Sequence, residues 1–358
     1  MSPHGPAPMP RRRRTGRLTR ALSFLAACAF TAALFWYLSA HTSLADWRAL
    51  AAGLDWPLML AYLALFLGAV GLRARRYQVL LRASDPQQAP GLADLAGLTL
   101  VSNLFVDLLP ARSGSLAYVV FLNQKLQVRL AACVSSLAFA VIFDLLAMAP
   151  LILLAILSAW WKTGAAGPWL WLLLGLLAGL GLAVLAWVDR ILAWAAGWAR
   201  GWLAGRGGWL GRLERVAGEA LAVARDMAAV KAKGVFWPVL VLSVLIRLAK
   251  YGGLYLLVLA VAGQWGQAVT ANLSFALVLF ALVAAEASAS LPISGLAGFG
   301  AYEGVMMLTL RSAGLEPTQA ALLPVTVHVI TQAIDYSLGS LALMRLSLKQ
   351  RRRPVNQR

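Results

Sequence analysis

The most constraining feature of this sequence is a set of long apolar runs that contain few or no charged residues. The run from Pro168 to Val188 carries no charge at all, and it is long enough for an α-helix to cross about 30 Å of hydrocarbon. Over the whole chain, 61% of residues are hydrophobic, 13% are charged and the mean hydropathy is +0.74. Because these values lie outside the range of soluble domains, the sequence predicts an all-α, polytopic membrane protein.

The formal net charge of +18 is the second constraint. In a soluble protein this charge would suggest nucleic acid, but here Lys and Arg concentrate in both tails and in short loops, as the positive-inside rule describes. We therefore expect anionic membrane lipids, and no nucleic acid, as partners of the basic segments. Cys28 and Cys133 both lie in apolar runs, so we expect neither a disulfide framework nor a metal site, and no cofactor.

The apolar runs predict about six full transmembrane helices within a single transmembrane domain, residues 19–345. The approximate bounds of these spans are 19–40, 56–72, 130–157, 168–188, 236–262 and 319–345. Basic cytoplasmic tails flank the domain, residues 1–18, predicted to be disordered, and residues 346–358. The first span also has the layout of a signal peptide, but it is long and bulky for one, so an uncleaved span is favoured.

A long polar stretch, residues 189–235, separates the fifth and sixth spans. Trp194, Trp198 and Trp202 recur there every four residues among arginines. This spacing favours an amphipathic helix that lies on the membrane surface, with a polar linker as the alternative.

Two further apolar segments, about 93–122 and 271–312, are interrupted by helix-breaking residues. The first break runs from Leu109-Pro110 to Gly114, and the second from Leu291-Pro292 to Gly300. Irregular backbone at bilayer depth is tolerated only where it is buried in protein or lines a cavity. A matched pair of interrupted segments points to a transporter's substrate site, so we predict two re-entrant broken-helix hairpins.

The charge distribution predicts a multi-pass protein of the cytoplasmic (inner) membrane with both termini cytoplasmic. The hairpins then enter from opposite sides. Each half contains an Arg, a Pro and an Asp in the same order: Arg73, Pro110 and Asp144, then Arg247, Pro292 and Asp335. This order with opposite orientation predicts an inverted repeat of about 56–157 and 236–345; two unrelated kinked helices are the alternative.

Ionisable side chains inside membrane spans are costly and usually face a cavity or the bundle interior. The candidates for charge balance or proton coupling are Asp107, Asp144, Glu286, His328 and Asp335. His328 and Asp335 share one face of the last span, where they could relay protons or simply join a hydrogen-bond network between helices.

The breaks supply most of the predicted substrate contacts. Arg112 lies near the start of a new helix, where backbone N–H groups and a guanidinium favour a phosphate group; pairing with Asp107 to hold the hairpin is the alternative. Glycines of the second break permit close backbone approach. The expected substrate-binding residues are Asn103, Arg112, Gly114, Arg247, Lys250, Gly298, Gly300 and Glu303.

Three motifs carry a resemblance to a known family. They are Arg75-Arg76 before Leu80-Leu81, the stretch N-x-x-x-x-x-L-P-x-R-x-G from Asn103 to Gly114, and the segment from Leu291 to Glu303. Over residues 20–345 the chain resembles the flippase-like family that includes the transmembrane region of lysylphosphatidylglycerol synthases. The chain departs from the family's pattern at Ser115 and Tyr302. We expect it to lack the synthases' soluble aminoacyl-transferase domain, and therefore not to make lysylphosphatidylglycerol by itself.

The resemblance implies a lipid transporter, and the paired breaks favour the same class. Its substrate would be a phospholipid or a glycolipid, with a second copy of the chain or a lipid-modifying enzyme as a further partner. No soluble catalytic motif such as G-x-S-x-G or H-E-x-x-H occurs. The alternatives are an integral-membrane transferase that acts on a lipid-linked substrate, and a non-catalytic partner of a lipid-modifying enzyme.

Overall fold

The computed structural model describes residues 28, 31–87, 89–108, 114–163, 167–205, 209–289, 295–296 and 299–351. These residues are almost entirely helical, which confirms the predicted all-α class. In chain order the helices are α1 (31–41), α2 (Leu44–Ala52), α3 (Trp56–Ser84), α4 (Leu92–Leu108), α5 (Ser115–Leu126), α6 (Leu130–Leu146), α7 (Met148–Thr163), α8 (Pro168–Leu203), α9 (Trp209–Ala232), α10 (Phe236–Ala262), α11 (Gln267–Asn272), α12 (Phe275–Ala289), α13 (Ala301–Ser312) and α14 (Pro317–Arg351). Two short strands, β1 (Gly295–Leu296) and β2 (Phe299–Gly300), pair antiparallel beside α13.

Four described segments are long and apolar enough to cross a membrane, which makes the chain a multi-pass membrane protein. They are Trp56–Ser84, Leu130–Leu157, Leu174–Leu203 and Phe236–Trp265. Helix α14, which contains the predicted sixth span, is 35 residues long but carries too many polar residues to count among these four. Of the predicted first span, 19–40, the structure describes residue 28 and residues 31–40.

Two helices continue beyond the predicted ends of their spans. Helix α3 runs to Ser84 rather than ending at residue 72, and α8 runs to Leu203 rather than ending at residue 188. The predicted ends were placed at the first charged residues, but Arg, Leu and Ala are good helix formers, and no proline lies between residues 73 and 84 or between residues 189 and 203. Helix α9 then packs antiparallel on α8, with Lys231 Nζ 2.7 Å from Asp189, so the 189–235 stretch belongs to two helices.

Each predicted break joins two short helices that pack on each other: α4 on α5, and α12 on α13. Gly114 closes the first pair so tightly that a Cβ there would lie 1.9 Å from the carbonyl oxygen of Phe105. Gly300 ends the second break with a φ of 137°, a conformation that residues with a Cβ rarely adopt. Glycine is therefore required at both positions, for different reasons.

The helices of the two predicted halves interleave. Helices α3 and α10 run antiparallel in extensive contact, and Gly253 of α10 leaves room for Tyr62 and Leu65 of α3. Helix α4 packs on α14, where a Cβ at Gly339 would lie 2.7 Å from the Cβ of Leu104. Both interfaces bring polar side chains of one half against the other half.

Candidate functional site

A carboxylate near the end of α6 binds two arginines from two other helices. Arg76 Nη1 of α3 lies 2.6 Å from Asp144 Oδ1, and Arg247 Nη2 of α10 lies 3.2 Å from Asp144 Oδ2. Arg76 Nη1 also donates to the hydroxyl of Ser243 in α10 at 2.9 Å. We call these four residues the Asp144 cluster. It joins α3 and α6 of the first half to α10 of the second.

A second set of contacts begins on the same face of α3. Arg73, one turn before Arg76, donates to the side-chain oxygen of Asn103 in α4 at 3.1 Å. The Asn103 amide in turn donates to Asp335 in α14 at 3.0 Å. A single amide therefore connects a cation of the first half to a carboxylate of the second.

A third set of contacts leaves α10. Lys250 lies 2.6 Å from Glu286 in α12, and the hydroxyl of Tyr251 donates to the same carboxylate at 3.2 Å. The Lys250 ammonium also lies 4.9 Å from the centre of the Tyr251 ring, within the range of a cation–π contact. With Arg247, this lysine gives α10 two cations on adjacent turns.

The second break has its own polar pair. The ring of His328 in α14 hydrogen-bonds to the carboxylate of Glu303 in α13, and Glu303 also accepts from the Gly300 N–H at 2.7 Å. The His328 ring also contacts the rings of Phe299 and Tyr302, whose centroids lie 4.8 and 4.9 Å away. The Glu303 side chain is only 1% exposed, so the histidine and the backbone N–H supply hydrogen bonds that water does not.

These contacts lie in a chain whose family is recognisable. Residues 24–339 match the family described as "Lysylphosphatidylglycerol synthase TM region". The chain belongs to this family. No curated protein and no solved structure shows significant similarity to it. The resemblance seen in the three sequence motifs is thereby confirmed.

Most of the predicted site residues of this family member fall into two groups. The contacts around α3 and α10 unite Asn103, Asp144, Arg247, Lys250, Glu286 and Asp335. The second break unites Gly300, Glu303 and His328. His328 and Asp335 share α14 but bind different partners, so the structure brings each to a different group.

The predicted site residues at and beside the two breaks are described only in part. Gly114 is among the described residues and lies in tight contact with Phe105 of α4. Arg112, Gly298 and the side chain of Asp107 lie outside the described residues.

Two members of the Asp144 cluster were missed from the sequence, Arg76 and Ser243. Arg76 lies after the predicted end of the second span at residue 72, whereas in the structure its side chain is 2% exposed within α3. An internal match does signal it: Arg73-x-x-Arg76-Tyr77 in α3 has the same spacing as Arg247-x-x-Lys250-Tyr251 in α10. Residues three apart share a helix face, so each helix presents two cations together.

A second buried carboxylate, Asp226 of α9, was also missed. It accepts from the hydroxyl of Ser84 at the end of α3 at 2.5 Å and from the hydroxyl of Ser135 in α6. Arg129 Nη2, on a half-exposed side chain, lies 3.7 Å away. We call these four residues the Asp226 cluster.

Proposed function

We propose that this chain moves a lipid, or a lipid-linked headgroup, between the leaflets of the cytoplasmic membrane. The observation that carries the proposal is the set of ionic and amide contacts that joins α3, α4 and α6 to α10, α12 and α14. These contacts lie at helix interfaces inside or beside candidate membrane spans. A polar route of this kind is what a charged headgroup needs in order to cross hydrocarbon.

The cost of these charges argues against a purely structural role. An Arg or Lys at the centre of a membrane helix costs about 2.5–3.5 kcal/mol on insertion scales. A typical hydrogen bond contributes a net of only about 0.5–1.5 kcal/mol. Stability alone therefore does not favour keeping Arg73, Arg76, Arg247 and Lys250 in two helices that pack on each other. Ionisable residues within spans mark substrate or ion pathways.

The helix order supports an inverted repeat of two halves, about 56–157 and 236–345. The antiparallel helices α3 and α10 carry the matching R-x-x-R/K-Y pattern, each precedes a helical hairpin, and each hairpin precedes a helix with an aspartate, Asp144 or Asp335. The apolar helices of the hairpins, Leu92–Val106 and Phe275–Ala289, are too short to cross about 30 Å of hydrocarbon. We therefore propose two re-entrant hairpins between six full spans, with both termini cytoplasmic.

In the mechanism that we propose, the two halves move against each other around the cations of α3 and α10. Arg247 and Lys250 attract the anionic headgroup, and Arg112 and the glycines of the second break contact it from the hairpins. Asp144, Glu286 and Asp335 balance the cations while the site is empty. Glu303 and His328 hold the second break and are placed to exchange a proton as it moves.

The direct test is lipid movement in proteoliposomes of the purified chain that contain a trace of fluorescent phosphatidylglycerol. Dithionite added outside destroys only the fluorophores that reach the outer leaflet. A transporter exposes the inner-leaflet pool to quenching. Vesicles with an unrelated membrane protein provide the control. Quenching equal to that control would contradict the proposal.

The family description names the transmembrane region of a synthase, which gives the transferase reading a specific basis. The same vesicles distinguish it. A transferase moves a group from a lipid-linked donor to an acceptor lipid, so vesicles that also contain such a donor yield a lipid of new mass, which mass spectrometry of the extracted lipids detects. A transporter returns every lipid unchanged. A new lipid mass that depends on the protein would favour the transferase.

A further inference from the structure

The Asp144 cluster leaves hydrogen-bonding capacity unused. Within the described part of the chain, the Nε atoms of Arg76 and Arg247 are buried and have no hydrogen-bond partner. The Nε and Nη groups of a guanidinium form a fork that matches the two oxygens of a carboxylate or a phosphate. Asp144 contacts each arginine only through an Nη atom, and it gives each of them one oxygen. The Asp144 carboxylate is therefore shared between two guanidinium groups, each of which has the donors to bind one anion by itself.

The charge around the cluster is also unbalanced. The described residues of the three sets of contacts include four cations, Arg73, Arg76, Arg247 and Lys250, and three carboxylates, Asp144, Glu286 and Asp335. Lys250 has Glu286 beside it, and Arg73 meets an amide rather than a carboxylate. One positive charge is thus in excess, which a phosphodiester with one negative charge would balance.

The side chains of the cluster differ in exposure. The Asp144 side chain is 26% exposed, that of Arg247 is 18% exposed and that of Arg76 is 2% exposed. The carboxylate is thus the most exposed member, and Arg76, which it contacts, is the least exposed. A ligand that approaches from the open side meets Asp144 first.

From these observations we infer that Asp144 is an internal stand-in for a phosphate group: the phosphate of the transported headgroup takes the place of the Asp144 carboxylate on Arg76 and Arg247. This inference rests on the proposed function and names its substrate class, a phosphate-bearing lipid. When the phosphate leaves, Asp144 returns to the arginines and keeps them paired. The exchange prevents the empty transporter from holding two unpaired buried cations.

The test compares phosphate binding by detergent-purified wild type and Asp144→Asn. The probes are dihexanoylphosphatidylglycerol below its micelle concentration and inorganic phosphate, each titrated calorimetrically against sodium chloride at matched ionic strength. The variant has lost the competing carboxylate, so it binds the short-chain lipid at least about tenfold more tightly, a difference of about 1.4 kcal/mol. The control is Asp189→Asn, which removes a carboxylate whose partner is Lys231 of α9 and leaves the affinity unchanged.

Equal or weaker binding by folded Asp144→Asn, relative to Asp189→Asn, would overturn the inference and leave Asp144 with a structural role. Binding of inorganic phosphate without binding of the short-chain lipid would also overturn it, because the site would then take a free anion. If Asp144→Asn yields no folded protein, Arg247→Gln replaces it. That variant loses at least about tenfold in lipid affinity, while Arg82→Gln on an exposed turn of α3 does not; equal affinities would overturn the inference.

The binding assay fails separately from the proposed function. Lipid movement with no change in affinity at Asp144 would preserve the transporter and reject the phosphate exchange. The expected change in affinity without lipid movement would instead keep the anion site and reject the transporter.

Discussion

Two carboxylates in this molecule each join two neighbouring helices, in opposite chemical surroundings. Asp144 of α6 meets the guanidinium groups of α3 and α10, whereas Asp226 of α9 meets hydroxyls of α3 and α6. The Asp144 cluster has buried donors with no partner among the described residues; no atom of the Asp226 cluster is in that condition. The first cluster holds more positive charge than its carboxylate balances. The second provides short contacts and little excess charge.

This difference distinguishes a ligand-binding site from a structural contact between helices. Hydroxyl groups that donate to a buried carboxylate satisfy it without adding charge, which suits a contact that never opens. Two guanidinium groups on one carboxylate retain attraction for a further anion, which suits a contact that is exchanged. Burial alone therefore does not identify function here, since both carboxylates are largely covered; unused donors and unbalanced charge do.

The largest effect is expected from Arg247→Gln. Removing a charged donor from the proposed headgroup site costs about 1.5–3 kcal/mol, so the rate of lipid translocation falls roughly 10- to 100-fold. Dithionite quenching in proteoliposomes measures the rate. The exposed Arg82→Gln should match wild type, and a rate in Arg247→Gln equal to that control would remove the distinction between the two clusters.

Asp226→Asn should act on stability and leave transport intact. The neutral amide weakens the contacts from Ser84 and Ser135, at a cost of about 1–3 kcal/mol, while the apolar packing of α9 on α3 and α6 remains. Thermal unfolding in detergent reports a lower midpoint, while the translocation rate per folded molecule stays at the wild-type value. A normal midpoint with lost transport would instead assign Asp226 to the site.

A pair of serines sharpens the comparison at a smaller scale. Ser243 accepts from Arg76, whereas Ser135 donates to Asp226. Ser243→Ala should slow translocation roughly 2- to 10-fold with little change in unfolding midpoint. Ser135→Ala should show the reverse pattern. If both variants lose only stability, the Asp144 cluster is also a structural contact between helices.

The smallest effect is expected from Arg129→Gln. Its guanidinium lies 3.6 Å from Asp85 and 3.7 Å from Asp226 on a side chain that is 53% exposed. Half-exposed pairs at such distances contribute about 0–1 kcal/mol because water screens them. Unfolding midpoint and translocation should both stay close to wild type. A large loss of stability would mean that charge, rather than the hydroxyl groups, holds the Asp226 cluster together.

Much of the fold follows from the sequence, because apolar runs and helix breakers act locally. The charge-free run from Pro168 to Val188 indicated a membrane protein, and the glycines at the two breaks, Gly114 and Gly300, lie where the chain turns. Helix ends were harder to predict. Arg73 and Arg76 looked like the end of a span, whereas α3 continues past them because their charges find partners on other helices.

The site was predictable in part for a related reason. A charge within an apolar run is conspicuous, which is how Asp144, Arg247 and Asp335 were found. Arg76 was not conspicuous, since it sits among other arginines, and neighbouring Arg75 is indeed exposed. Only the partner in another helix distinguishes the two, and that contact joins residues far apart in sequence. Asp226 was missed because it lies in a polar stretch whose packing against α3 and α6 no local pattern reveals.

The central claim is that the two halves move against each other while lipid crosses. The contact between α4 and α14 allows a direct test, because a Cβ at Gly97 would lie 4.0 Å from the Cβ of Ala342, a separation that suits a disulfide. In a chain with Cys28 and Cys133 replaced by alanine, oxidised Gly97→Cys/Ala342→Cys should stop lipid translocation, and dithiothreitol should restore it. Translocation at the full rate by fully cross-linked protein would contradict the account.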